Sequence, residues 1–127
     1  MDKQIEKEIQ DKGLTAPRVT PQDLQDNIAS AHYFTARDGI VGVDLDAGLI
    51  DEASGTRTPE PFGLLTFCVL ILKNGFTVTG ESACACPENF DSEIGRKIAR
   101  QNAEQKIWPL MGYHLKQKLS ESGNESS

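Results

Sequence analysis

The sequence predicts an α+β fold: a small antiparallel sheet with a central β-hairpin, packed on a long C-terminal helix and a shorter N-terminal helix. Three observations predict it. Leu64 to Lys73 is a nearly unbroken apolar run, Asn74-Gly75 follows, and Phe76, Val78 and Gly80 then alternate with Thr77, Thr79 and Glu81. That is a strand, a tight turn and a return strand. Beyond Pro87-Glu88-Asn89-Phe90-Asp91, the residues Ile94, Ile98, Ala99, Ala103, Ile107, Met111 and Leu115 recur at helical spacing. Upstream, Thr20-Pro21 carries the chemistry of a helix start.

The elements follow in order. Residues 3 to 12 form a short helix with Ile5 and Ile9 one turn apart and Gly13 as its stop. One apolar pair buries little, so this helix is expected to fray or dock weakly. Thr20 is the N-cap of the next helix, Pro21 suits N1, and Asp23 sits where a negative charge favours the dipole. Val19 and Leu24 match a hydrophobic staple. The stripe Leu24, Ile28 and Ala31 carries this helix to near His32. Tyr33-Phe34-Thr35 reads as a strand, Asp38-Gly39 as a turn and Ile40 to Val43 as the returning strand.

From Asp44 to Pro61 the chain is acidic and rich in small residues, and is expected to be an extended surface loop, with Leu49-Ile50 as an anchor point. The Leu64 to Lys73 strand is apolar on both faces. One face is expected to meet a helix and the other a partner sheet or subunit. Asn74-Gly75 predicts a type I′ turn. Cys84 and Cys86 share a face if the return strand persists. Either Asn89 or Asp91 caps the long helix, and Pro109 predicts a kink or restart near Trp108. The whole is one domain over residues 1–127. Its core spans about 17–119, residues 1–16 form a flexible or helical segment, and 120–127 form a disordered tail.

Composition narrows the function. A hydrophobic content of 38% and a mean hydropathy of -0.41 indicate a modest core, for which self-association is a common remedy. The apolar run of β-type residues is about half the length of a membrane-spanning helix, and the N-terminus is charged from Asp2 onward, so no membrane association and a cytoplasmic location are expected. Residues 1 to 63 hold 12 acids and 6 bases, and residues 64 to 127 hold 7 of each. Such a surface is a poor match for duplex nucleic acid but permits a local anion site.

The chemistry-bearing residues are few. Cys68, Cys84 and Cys86 lack metal-site spacing, and His32 and His114 lie far away, so buried thiols in a reducing compartment are the simpler reading. Asp44 and Asp46 read as loop solvation rather than a cation site. No metal, cofactor or nucleophile–base pair is legible, so no enzyme activity is expected. A binding set is legible. Arg96 and Arg100 are i, i+4 neighbours, suited to gripping phosphates, although a solvated helix face is the plain alternative. Phe76 beside the turn offers a stacking platform, or else core packing. Ser82 and Asn89 would add polar contacts. Together Phe76, Ser82, Asn89, Arg96 and Arg100 are the candidate ligand-binding residues, sufficient to hold a small nucleotide and not to cleave one. Trp108 to Tyr113 reads as packing at a contact.

A string of motifs adds a resemblance. Lys73-Asn74-Gly75-Phe76-Thr77-Val78-Thr79-Gly80, Ser82-Ala83-Cys84, Pro87-Glu88-Asn89-Phe90-Asp91, Glu93-Ile94-Gly95-Arg96-Lys97 and Lys106-Ile107-Trp108-Pro109-Leu110-Met111-Gly112-Tyr113 resemble a family of small tailed-phage and prophage proteins, the phage gene product 49 / gene 66 family. The resemblance covers about residues 17 to 119. The family is similar in turn to the Thoeris anti-defence proteins of the first kind. Those are phage sponges that bind cyclic ADP-ribose-type signals, and in some cases cyclic oligonucleotides, without cleaving them.

The resemblance implies a non-enzymatic anti-defence protein in the host bacterial cytoplasm, acting as a homo-oligomer (a dimer or an assembly of dimers) on a cyclic nucleotide-type small molecule. The rival expectation is inhibition of a host protein through direct contact by the acidic 44–60 loop.

Overall fold

A computed structural model describes residues 3–49 and 59–126. The chain runs α1 (Lys3–Asp11), α2 (Pro21–Asp26), β1 (Ile28–Thr35), α3 (Ala36–Asp46), β2 (Leu65–Leu72), β3 (Thr77–Ala83) and α4 (Ser92–Ser126). Short 3-10 turns at Glu60–Leu64 and Pro87–Asn89 lead into β2 and α4. The three strands form an antiparallel sheet in the order β1-β2-β3, and α4 lies along one face of it. This is the α+β architecture expected, with the hairpin at its centre.

Thr20 caps α2 as predicted. Its hydroxyl accepts from the Asp23 N–H at 3.0 Å and its own N–H donates to Asp23 Oδ2 at 2.9 Å, a complete capping box. The helix is shorter than expected. It stops at Asp26, and the residues from Ile28 to His32 are strand, paired to β2. Apolar spacing in Ile28-Ala29-Ser30-Ala31 suits either period, and pairing with β2 decides it. The Asn27 carbonyl, at the end of α2, accepts from Lys73 N–H at 3.0 Å and ties this corner to the hairpin.

The expected return strand at Ile40 to Val43 is instead the middle of α3. Thr35 and Asp38 form a second capping box, with bonds of 3.1 and 2.9 Å, so Asp38 starts a helix rather than a turn. The helix carries on to Asp46, into the segment read as loop. Leu49 is 73% exposed and anchors nothing. Ile50 and residues 51–58 of the acidic loop lie outside the described residues.

β2 alternates strictly. Thr66, Cys68, Leu70 and Leu72 are buried against α4, while Leu65, Phe67, Val69 and Ile71 on the opposite face are half-buried. On that second face Phe34 stacks on Phe67 with ring centroids 5.4 Å apart. The hairpin is not the two-residue type I′ turn expected, because Asn74 does not adopt positive φ. Gly75 alone does, at 91°. Gly75 N–H donates to the Leu72 carbonyl and Leu72 N–H to the Phe76 carbonyl, giving a three-residue loop that needs one left-handed residue.

Asp91, not Asn89, caps α4: its Oδ1 accepts from Ile94 N–H at 3.0 Å. The buried face of α4 is Gly95, Ala99, Ala103 and Ile107, a strict i, i+4 row of mostly small residues. Ile94 and Ile98, expected in the core, are 56% and 42% exposed. No restart interrupts the helix at Pro109, and it runs through the segment from Ser120 expected to be disordered. The return strand ends at Ala83, before Cys84 and Cys86, so they do not share a strand face. Cys84 Sγ donates to the Cys86 carbonyl at 3.2 Å and Cys86 Sγ to Glu88 at 2.7 Å, while Cys68 is buried in the core. Among the described residues no cluster of histidine, cysteine or carboxylate side chains has the makings of a metal site.

Candidate functional site

A hollow sits where α2, the hairpin and the C-terminal half of α4 meet, a cleft of about 710 Å³. That lies within the range of small-molecule sites. Its floor is apolar: Val19, Leu72, Leu110, Met111 and Leu115. The hairpin brings Phe76, Lys73 and Asn74 to one lip. Asn74 Oδ1 accepts from Phe76 N–H at 2.9 Å, which fixes the backbone that presents the ring. The ring is 56% exposed, so it is available rather than committed to the core.

The walls differ in charge. Asp23 and Asp26 come from α2, and Lys73, His114 and Lys118 from the hairpin and α4. The Thr20 backbone N–H, then its hydroxyl, holds the Asp23 carboxyl below the usual carboxylate range. Arg18 also lines the cleft but is engaged. Its two terminal nitrogens donate to both oxygens of Glu6 at 2.8 and 2.7 Å. This fork lowers the Glu6 carboxyl to about 2 and raises the Arg18 guanidinium. It ties α1, which buries no residue, to the segment that leads into α2.

The five residues proposed from sequence do not converge. Phe76 alone lines the cleft. Arg100 sits about three turns, roughly 16 Å, N-terminal of Met111 on α4. It is spent on internal bonds. Its Nη2 donates to Gln25 Oε1 at 3.2 Å and its Nε to Glu104 Oε2 at 3.4 Å, while Gln25 Nε2 donates to the same carboxylate oxygen at 2.6 Å. A hydrogen bond with Tyr33, foremost, raises the guanidinium. Arg100 is thus a brace joining α4 to α2 and β1. Ser82 pairs with Thr66 across the sheet and is half-buried. Asn89 is exposed in the turn before α4. Arg96, also exposed, lines a separate small notch.

Sequence reasoning passed over Arg18, Lys73, His114 and Lys118. The helical spacing of Met111 and Leu115 places His114 and Lys118 beside the inner face. No local signal sets the hairpin tip against them.

The family profile of the phage proteins N4 Gp49 and phage Sf6 gene 66 matches residues 19–119. The chain belongs to the N4 Gp49/Sf6 gene 66 family of phage proteins. The match takes in all three strands, α2, α3 and most of α4, and therefore every lining residue named for the cleft except Arg18. No curated protein and no solved structure matches this Gp49/gene 66 family member at a significant level. Among the described residues no helix is long and apolar enough to cross a membrane.

Proposed function

We propose that this phage-family protein binds a phosphorylated ring compound of the nucleotide class in the Phe76 cleft and holds it without transforming it. The carrying observation is the cleft itself: an exposed aromatic ring beside an apolar floor, with the Lys73 and Lys118 ammonium groups and the His114 ring among the lining residues. A base stacks on Phe76 and covers the apolar floor, and phosphates meet Lys73 and Lys118. Asp23 and Asp26 accept hydrogen bonds from ribose hydroxyls or a base edge. A preformed pocket of this kind reaches useful affinity from burial and charge alone.

The biological role that fits is sequestration of a cyclic nucleotide-type immune signal, such as a cyclic ADP-ribose isomer or a cyclic oligonucleotide. That role rests on the sequence resemblance to phage anti-defence sponges. Self-association through the half-buried Phe67, Val69 and Ile71 face accompanies it in this reading. The test is to incubate the protein with a panel of cyclic ADP-ribose isomers and cyclic oligonucleotides, wash, release by heat and identify what was retained. Intact ligand is expected. Altered ligand would make the protein an enzyme, and an empty release across the panel would sink the proposal.

A further inference from the structure

A second hollow lies about 60 Å³ in size at the opposite end of α4, under its first turn. That is the room of about two water molecules. It is lined by Tyr33, Thr35, Asp38, Thr66, Ser92 and Arg96, with the Phe34 segment closing it. Two helices begin here. Thr35 is the N-cap of α3, and Ser92 is the first residue of α4. Helix starts present N–H groups and the positive end of the backbone dipole, and here a cap takes one N–H at each start: Asp38 N–H donates to Thr35, and Ile94 N–H to Asp91.

The observation that points to a ligand is Thr66. The residue is 3% exposed, and its hydroxyl oxygen has no hydrogen-bond partner. Such a group pays the full loss of hydration with no return, so buried hydroxyls of this kind are uncommon. It lies beside Gly95, whose missing side chain keeps the space next to the hydroxyl open. Arg96, one residue on, faces the same notch and has no ion pair among the described residues. Its neighbour Lys97 is paired with Glu93, and Arg100 is held by Glu104.

We propose that this notch is an oxyanion site, sized for a single phosphoryl group, in which Arg96 and the uncapped Ser92 and Glu93 N–H groups at the start of α4 carry the charge and Thr66 donates its hydroxyl; the Ile94 N–H is already held by Asp91. The opposing charges are Asp38, which lines the notch, and Asp91, the N-cap of α4. One oxygen of Asp38 already accepts from Thr35 N–H, and its charge sits against the start of α3. They weaken the site without closing it. The notch is separate from the Phe76 cleft, and the two stand or fall independently.

The test is titration of the full chain with inorganic phosphate, followed by 31P and amide NMR. Saturable binding is expected, with shifts confined to Thr66, Ser92 and Arg96 and their neighbours. Arg96→Gln and Thr66→Val each weaken it about tenfold, whereas Thr66→Ser, which keeps the hydroxyl, retains it. Asp38→Asn tightens it, and Phe76→Ala leaves it unchanged. Thr66→Val also raises the thermal stability of the phosphate-free protein, a readout independent of binding. Absence of saturable binding overturns the proposal. So does an affinity unchanged from the parent protein in both the Arg96→Gln and Thr66→Val variants, which would mean an adventitious ion only.

Discussion

Gly80 on β3 lies against the backbone of Ala103 on α4, so close that a Cβ on residue 80 would overlap the Ala103 amide nitrogen and the Ala99 carbonyl. Both alanines are fully buried. The contact seats the helix on the sheet and sets the distance between them. Backbone cannot swing aside as a side-chain tip can. Gly80→Ala is therefore expected to cost about 3 kcal/mol, the upper part of the range for overpacking, read as a lower midpoint in urea unfolding. A midpoint equal to that of the parent protein would show that the helix slides freely.

The Glu6–Arg18 fork makes the docking of α1 dependent on pH. The folded carboxyl sits at about 2, below its ordinary 4.5. A depressed carboxyl contributes stability that is complete above the unfolded value and is lost as pH falls toward the folded one. Amide exchange in α1 should therefore accelerate as pH drops from about 4.5 toward 2, after correction for the intrinsic rate. Glu6→Gln should reproduce the fast exchange at neutral pH. Protection that ignores both changes would mean that another contact holds α1.

Phe76 separates binding from folding. Its ring is more than half exposed, so Phe76→Ala should shift stability by less than about 0.5 kcal/mol. Under the proposed function, loss of one stacked base should weaken retention of a cyclic nucleotide at least about tenfold. Calorimetric titration beside a thermal melt distinguishes the two. Undiminished affinity in the variant would remove the ring from the site.

Arg100 should behave in the opposite way. Its bonds run to Gln25 and Glu104 rather than into the cleft. Arg100→Leu is expected to lower stability by about 1–2 kcal/mol through the unpaired Gln25 and Glu104 groups, with ligand retention unchanged. Retention that collapses in a variant still fully folded at the assay temperature would return Arg100 to the binding set.

Local chemistry was legible wherever one short stretch decided it. Thr20-Pro21 with Asp23 starts a helix because its caps lie within one turn, and the apolar run ending at Asn74-Gly75 is a hairpin because its turn lies between its strands. Legibility failed where two local readings competed. Thr35-Ala36-Arg37-Asp38 is both a capping box and a turn beside Gly39, and the capping box prevailed because β1 already had β2 as its partner. The site failed for a related reason. Arg96 and Arg100 are neighbours on α4, yet Arg100 is bound internally and Phe76 stands at the far end of the helix.

Sequence alone settled that this is an α+β chain with a central hairpin and a long closing helix, because periodicity and turn residues act over a few positions. Only tertiary structure decided which cations face an open hollow and which are consumed as braces. That outcome depends on the approach of Gly80 to α4 and on the Asn27–Lys73 tie, contacts between segments far apart in the chain.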